Sequence, residues 1–313
     1  MVQQELITQQ LSLRFIERTI QSHDLSTKHR KKEKGCSKYM LYPVGFLAAA
    51  GEILMQIDFI GPRYIDGCST PIHFLSLRYV RPFKRQLFFR VTAQTTAEIL
   101  RILSIVFFEL LLPLPDVVQQ DNGSSFKGSL NQPGVIGRYI KWWCHNGVIV
   151  IFNAPRSPWN TGSVEGANGV FDRKFWTQNR FRNIEEIDVK LCEFNAAYAA
   201  YLRTNMPLPK RDIPTKKPSA VKTLRDLAGL RQPLLFLMRI VREDRYGKHS
   251  IEVLNRYITL PPAFNGQFVI VQIHLVDQWM TVWQERENHT AILLPRRKFS
   301  VGSFNYGRRK KSV

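Results

Sequence analysis

The sequence predicts an α/β protein, a mixed sheet with helices on its faces, followed by a small β-barrel. Three observations predict it. Between residues 53 and 202, strand-like apolar runs and helix-period segments follow the order β-β-β-α-β-α-β-α-α. A basic, Pro-rich stretch then breaks the pattern at Pro207, Pro209, Lys210, Arg211, Pro214, Lys216, Lys217 and Pro218, the composition of a linker. Beyond it come short strands separated by turns such as Tyr246-Gly247 and Asn265-Gly266, which is the rhythm of a small barrel or SH3-like module.

Each element has a local justification. Residues 1–35 carry one helical stretch, in which Ser12 is a candidate cap, and a basic arm, Lys28-His29-Arg30-Lys31-Lys32-Glu33-Lys34. A core over 48–205 opens with a strand at 53–61, ended by Gly61-Pro62, and strands at 72–80 and 86–92. Thr95 or Thr96 starts a helix that runs to about Leu112, where Pro113 and Pro115 stop it. Asp116 to Gln120 is a fourth strand, and 135–145 reads as a helix closed by Asn146-Gly147. Val148 to Phe152 is continuous and β-branched, the pattern of a strand buried on both faces. A helix runs from Asn160 or Thr161 to about Trp176; its glycines, Gly166 and Gly169, each cost about 1 kcal/mol and call for a close approach. A last core helix covers 184–202, and then follow a linker at 206–232, the barrel at 233–300 and a basic tail at 301–313.

Composition narrows the function classes. The chain has 313 residues, 44% of them hydrophobic, so it can bury a substantial core. Lys and Arg number 45 against 25 Asp and Glu, a net charge of +20. That balance points first to nucleic acid, ahead of a ribosome-like, membrane-surface or merely basic soluble protein. Cys36, Cys68, Cys144 and Cys192 are scattered, with no CxxC, which argues against a zinc finger or a disulfide framework and for reduced thiols in the cytoplasm. The N-terminus lacks the apolar region of a signal peptide. The most apolar span, Ile99 to Pro115, is interrupted by Arg101 and Glu109 and is too short to cross a bilayer.

Three carboxylates stand out. Asp58 interrupts the apolar strand Ile53-Leu54-Met55-Gln56-Ile57-Asp58-Phe59-Ile60, where a lone charge is costly unless paired or metal-bound. Asp121 follows strand four, at the end where open α/β sheets build their sites, and Asn122-Gly123 turns the chain away. Glu165 falls in the first turns of a helix, which favours negative charge. If strand four lies beside strand one, both aspartates share a sheet edge. Three such acids repel one another, and divalent cations resolve the conflict. Oxygen ligands favour Mg²⁺ or Mn²⁺, in a pair suited to phosphoryl transfer. Taken singly, each acid also has an ordinary reading as an edge-strand acid, a turn former or a helix-terminal charge.

The arrangement resembles the Asp-Asp-Glu catalytic core of retroviral-type integrases and insertion-sequence transposases. Gln56-Ile57-Asp58-Phe59 matches the first acid's motif, and Gln120-Asp121-Asn122-Gly123-Ser124-Ser125-Phe126 the second. Ser157-Pro158-Trp159-Asn160-Thr161-Gly162-Ser163-Val164-Glu165-Gly166-Ala167-Asn168 carries landmarks of the third. Leu11 to Leu25 is similar to the last helix of the helix-turn-helix region before such cores, and the absence of the rest suggests a shortened reading frame. Departures are visible: 43 residues separate Asp121 from Glu165, longer than usual, with Gly128 to Gly134 as the candidate insertion. Gly169 and Asp172 replace basic residues that some integrases use, and Thr161 splits the usual Asn-Gly pair.

The resemblance implies a ribonuclease-H-like fold and a transposase or integrase that performs DNA integration, transposition and recombination for a mobile element. Asp58, Asp121 and Glu165 would be both catalytic and metal-binding, with two Mg²⁺ or Mn²⁺ ions. Lys127, Arg156, Asn168, Arg173 and Lys174 are candidate DNA contacts, ordinary surface charge being the competing reading for the basic ones. Trp142, Trp143 and Trp176 read as core aromatics, and His73 and His145 as structural. The partners would be DNA and further copies of the chain assembled on it, with no membrane and with nucleoid association in a bacterial host. Two other readings remain open: a DNA-binding remnant without catalysis, and a nuclease of the same fold without strand transfer.

Overall fold

The computed structural model describes residues 43–128, 132–155, 157–202, 234–286 and 291–303, with isolated positions at 12, 15, 19 and 22 and between 214 and 227. Contacts divide the chain into residues 1–40 and 41–313. In the first unit, the Phe15 N–H donates to Ser12 Oγ at 3.3 Å, a helix-start cap. The basic arm, most of the linker and the tail beyond residue 303 lie outside the described residues.

The second unit is a mixed α/β structure built on one large sheet. Its strands are β1 (Leu54–Arg63), β2 (Ile72–Arg81), β3 (Arg85–Val91), β4 (Val117–Gln120), β6 (Ile149–Phe152), β7 (Leu234–Ile240), β11 (Phe268–His274), β12 (Trp279–Glu285) and β13 (Ala291–Leu293). The order across it is β13-β12-β11-β7-β6-β4-β1-β2-β3, with β14 (Arg297–Lys298) pairing β12. β1, β4, β6 and β7 run parallel. The outer pairs are antiparallel. β8 (Arg242–Glu243), β9 (His249–Val253) and β10 (Arg256–Thr259) make a separate three-stranded sheet, and β5 (Val135–Ile136) pairs β15 (Gly302–Ser303).

The helices are α1 (Val44–Ala49), α2 (Thr96–Ser104), α3 (Ser124–Lys127), α4 (Arg138–His145), α5 (Gly162–Phe171) and α6 (Ile184–Tyr201). Thr95 caps α2, accepting from the Glu98 N–H, and the helix widens into a π-turn over Ile105–Glu109, short of the expected Leu112. The expected 135–145 helix starts only at Arg138, because Val135 and Ile136 are drawn into pairing with residues 302 and 303. Asn183 caps α6 through Glu186 N–H.

Period-two alternation splits the sheet between two cores. Met55, Ile57, Leu75, Leu77 and Val118 face one, together with α2, α4 and the C-terminal strands. Ile60, Phe74 and Phe88 face the other, under Phe171 of α5 and Ile187, Leu191 and Tyr198 of α6. Trp142 and Trp143 are fully buried in the first core, with Trp142 tilted against Phe107 and Trp143 meeting it edge-on. The β1–β4 register is fixed at its start by Asp116, whose Oδ2 accepts from the Glu52 and Ile53 N–H groups at 2.8 and 2.9 Å.

Of the C-terminal strands, β7, β11, β12 and β13 do not form a sheet apart from the core. β6 presents the buried Val150, Ile151 and Phe152, and an unpaired strand so apolar is an exposed template for pairing. β7 takes that edge, parallel, with Leu235, Phe236 and Leu237 opposite those three residues. Among the described residues, no helix is long and apolar enough to cross a membrane.

Candidate active site

Asp58, Asp121 and Glu165 come from three elements and line one cleft of about 350 Å³, together with Asn122, Gly123, Asn153, Ala154, Pro155, Ser157 and Thr161. The parallel β1–β4 register pairs Gln56 with Gln119. Continued two residues, it sets Asp58 level with Asp121, as their shared sheet edge requires. The cleft thus opens at the C-terminal ends of parallel strands, the usual location in an open α/β sheet. α5 crosses the same face and brings Glu165 in on its first turn, where the helix dipole favours an acid.

The local geometry fixes each carboxylate differently. Asp58 Oδ1 accepts from the Phe59 N–H at 2.8 Å, and its Oδ2 accepts from Asn168 Nδ2 at 2.9 Å. Burial, then the neighbouring charges of Asp121 and Glu165, push its pKa up to about 6 despite those two donors. Asp121 Oδ1 accepts from the Gly123 N–H at 2.8 Å, closing the turn that Asn122-Gly123 was expected to make. Although Asp121 stays open at the cleft mouth, the protein around its carboxyl displaces enough water to raise its pKa against that hydrogen bond. Glu165 Oε1 accepts from Thr161 Oγ1 at 3.2 Å.

Amides behind the acids tie α5 to the sheet. Gln56 Nε2 donates to Gln119 Oε1 at 2.9 Å, and Gln119 Nε2 donates to Asn153 Oδ1 at 2.8 Å and to the Asn160 carbonyl at 3.0 Å. Gln56 Oε1 accepts from the Val164 N–H at 3.0 Å. Thr161, the residue before α5, makes no side-chain cap, so Gln56 from β1 satisfies a helix-start donor in its place. Arg78 Nε adds a bond to Ser163 Oγ at 2.7 Å, and Arg63 holds Asp172, just beyond α5, at 2.6 Å.

The expected DNA contacts fare unevenly. Lys127 is turned inward: its ammonium donates to Glu252 Oε1 at 2.7 Å and to Asn255 Oδ1 at 3.1 Å, with only 8% of its side chain exposed. It is a buried ion-pair partner, not a surface contact, because α3 docks against the β9–β10 turn. Asn168 is engaged with Asp58. Arg173 and Lys174 are exposed. Arg156 lies outside the described residues. The close approach expected at the two helix glycines is not found: an added Cβ at Gly169 would meet only the end of the exposed Arg173 side chain one turn on, at 3.2 Å, and at Gly166 it would meet open space.

Gln56, Gln119 and Asn153 escaped the sequence reading as functional residues. The available signal was a pair of buried-strand glutamines, each two residues before an aspartate. No family model matches the chain, and no curated protein matches it.

Oxygen-only donors and an Asp58 carboxyl that resists ionisation suit a hard divalent cation, which would hold both aspartates charged. Among the described residues, no three His, Cys, Asp or Glu side chains converge closely enough to form a ready metal group. Asp58, Asp121 and Glu165 nonetheless share the cleft lining, Glu165 with one carboxylate oxygen taken up by Thr161.

Proposed function

We propose that the chain is a transposase or integrase of the Asp-Asp-Glu type, a metal-dependent polynucleotidyl transferase with a ribonuclease-H-like core. One observation carries the reading: Asp58, Asp121 and Glu165, far apart in sequence, line the same cleft at the ends of parallel strands. The net charge of +20 supports a DNA partner. In this reading β7, β11 and β12, with the small β8–β10 sheet, are the counterpart of the barrel that accompanies such cores.

Asp58, Asp121 and Glu165 would together hold Mg²⁺ or Mn²⁺. When bound, a pair of such ions supplies Lewis-acid activation of an attacking oxygen and charge stabilisation at the leaving oxygen. Asn168 holds Asp58 in a fixed orientation, and Gln56 holds the start of α5, so that Glu165 enters from one side. Water attacks a phosphodiester at the element end; the new P–O bond replaces the bond to the 3′-oxygen, which leaves as a 3′-hydroxyl. That hydroxyl then attacks a target phosphodiester, and the joined strand forms as the target's own 3′-oxygen leaves and is protonated.

The test is cleavage and strand transfer with purified protein, Mg²⁺ or Mn²⁺, and DNA carrying the inverted repeats that flank the gene. Wild type yields cleaved ends and joined products. Asp121→Asn loses activity by more than the roughly 10–100-fold typical of removing a ligand's outer partner. Equal behaviour of the two proteins defeats the reading. The unconverged acids favour one alternative, a DNA-binding protein without catalysis. That alternative expects DNA binding without Mn²⁺ binding, measured by calorimetry.

A further inference from the structure

Two of the segments that shape the cleft are the turn after Asp121 and the end of β6 at Asn153 and Ala154. Both are held from the same place. The Glu252 carboxylate on β9 takes the Lys127 ammonium at 2.7 Å, and Lys127 closes the short α3 that follows the Asp121 turn. The Glu252 backbone carbonyl accepts from Arg239 Nε at 2.6 Å. Arg239 Nη1 donates onward to the Asn153 carbonyl at 3.2 Å, and that carbonyl also accepts from Asn122 Nδ2 at 2.6 Å. The two routes from Glu252 thus meet again at the residue next to Asp121.

Arg239 is almost wholly buried, and burial pulls its pKa down to about 10. Such a buried cation persists only where its bonds are held in place. Burial acts to raise the Glu252 pKa, but Lys127 and Arg239 outweigh it and leave the carboxyl below its usual range. The hairpin that presents Glu252 is tight: Leu254 and Asn255 take positive φ angles of 48° and 62°. Leu254 also accepts from the Gly134 N–H at 2.7 Å, and Arg256 reaches the Pro133 carbonyl, so the hairpin grips the segment leading into α4 as well.

We propose that the β9–β10 hairpin is a latch on the cleft, with Glu252 as the positioning residue that holds the Asp121 turn through Lys127 and the β6 end through Arg239. The C-terminal strands then set the geometry of the acids instead of serving only as a separate module. The consequence for metal binding rests on the proposed function; the latch itself does not.

Hydrogen exchange on the full chain separates the two. In Glu252→Gln, which removes only the carboxylate's hold on Lys127, amides of residues 121–128 exchange at least about 10-fold faster, while β2 and β3 are unchanged, as expected for local opening; Arg239→Met, which removes the arm from the Glu252 carbonyl, does the same to amides 150–154. The charge-exchanged pair Lys127→Glu with Glu252→Lys returns residues 121–128 towards wild-type protection. Unchanged exchange in Glu252→Gln overturns the latch, and so does equal acceleration across β2 and β3, which would mark general destabilisation. The second readout is Mn²⁺ affinity by calorimetry, expected to fall about 10-fold or more with the loosened turn. Equal affinity in wild type and Glu252→Gln overturns the claim that the C-terminal strands set the geometry of the acids. Absence of Mn²⁺ binding by wild type defeats the proposed function, and the exchange result alone then decides the latch.

Discussion

Asp58 lies between Ile57, fully buried, and Phe59, on a strand whose other side is core. Its pKa rises from 3.8 to about 6 through burial and the charges of Asp121 and Glu165. Between those two values the folded chain binds more protons at this site than the unfolded chain does. Stability from this group is therefore fully present below pH ~4 and is lost as pH rises through ~6, a cost of about 3 kcal/mol above that window. Asp58→Asn removes the cost. The introduced amide can keep the Phe59 N–H, and Asn168 can turn its partnerless Oδ1 towards the new nitrogen. Urea unfolding should find the variant about 1–3 kcal/mol more stable than wild type at pH 7.5, with the difference closing at pH 4. A gap equal at both pH values would show that Asp58 carries no raised pKa. Asp58 was legible in the sequence because a charge in an apolar run is conspicuous. Its couplings were not, since they depend on which residue of a strand more than 60 positions away stands beside it.

At the scale of elements, α5 illustrates where local rules stop. Its start was legible from the Asn160-Thr161-Gly162 turn, but its fixation was not, because no residue of its own caps it. Gln56 does so from β1, and in a period-two reading that glutamine looks like one more polar position on a strand. Its neighbour Gln119 likewise reads as ordinary. Only parallel pairing brings the two amides to 2.9 Å. The misplaced start of α4 has the same cause, since Val135 and Ile136 answer to a partner at 302–303 that no local window contains. Gln56→Leu should leave the Val164 N–H and Gln119 Oε1 without their buried partners. Loss of such bonds costs about 2 kcal/mol or more in unfolding free energy. Chemical denaturation measures that cost. Exchange at residues 162–166 should accelerate with it, and a fall in stability that leaves those amides protected would show that α5 is held by packing alone.

For the molecule as a whole, most strands of the C-terminal third were legible, as were the turns at Tyr246-Gly247 and Asn265-Gly266, whereas the β9–β10 hairpin and the attachment of the strands were not. Strand period reports which residues face a core; it does not report which free edge the strand will join. Here the edge is β6, and the join has several supports. β7 pairs with it along Val150, Ile151 and Phe152. The Glu285 carboxylate, at the far end of β12, accepts from the Gly45 and Phe46 N–H groups at 2.8 Å each. Phe46 packs its ring against Phe236 and Trp283. The C-terminal strands therefore bind both the middle of the sheet and the helix that precedes it. A core joined to an independent barrel by a linker should survive removal of that barrel. This one should not: a chain of residues 41–205 would expose the apolar β6 edge, free the α1 start and leave Lys127 buried without Glu252. Loss of the last contact alone is of the order of 3–5 kcal/mol, a large share of a typical domain's stability. Residues 41–205 are expected to aggregate or to lack a cooperative thermal transition, while residues 41–303 melt as one unit in calorimetry. A sharp transition in the shorter chain would mean that the core and the C-terminal strands are separate folding units after all.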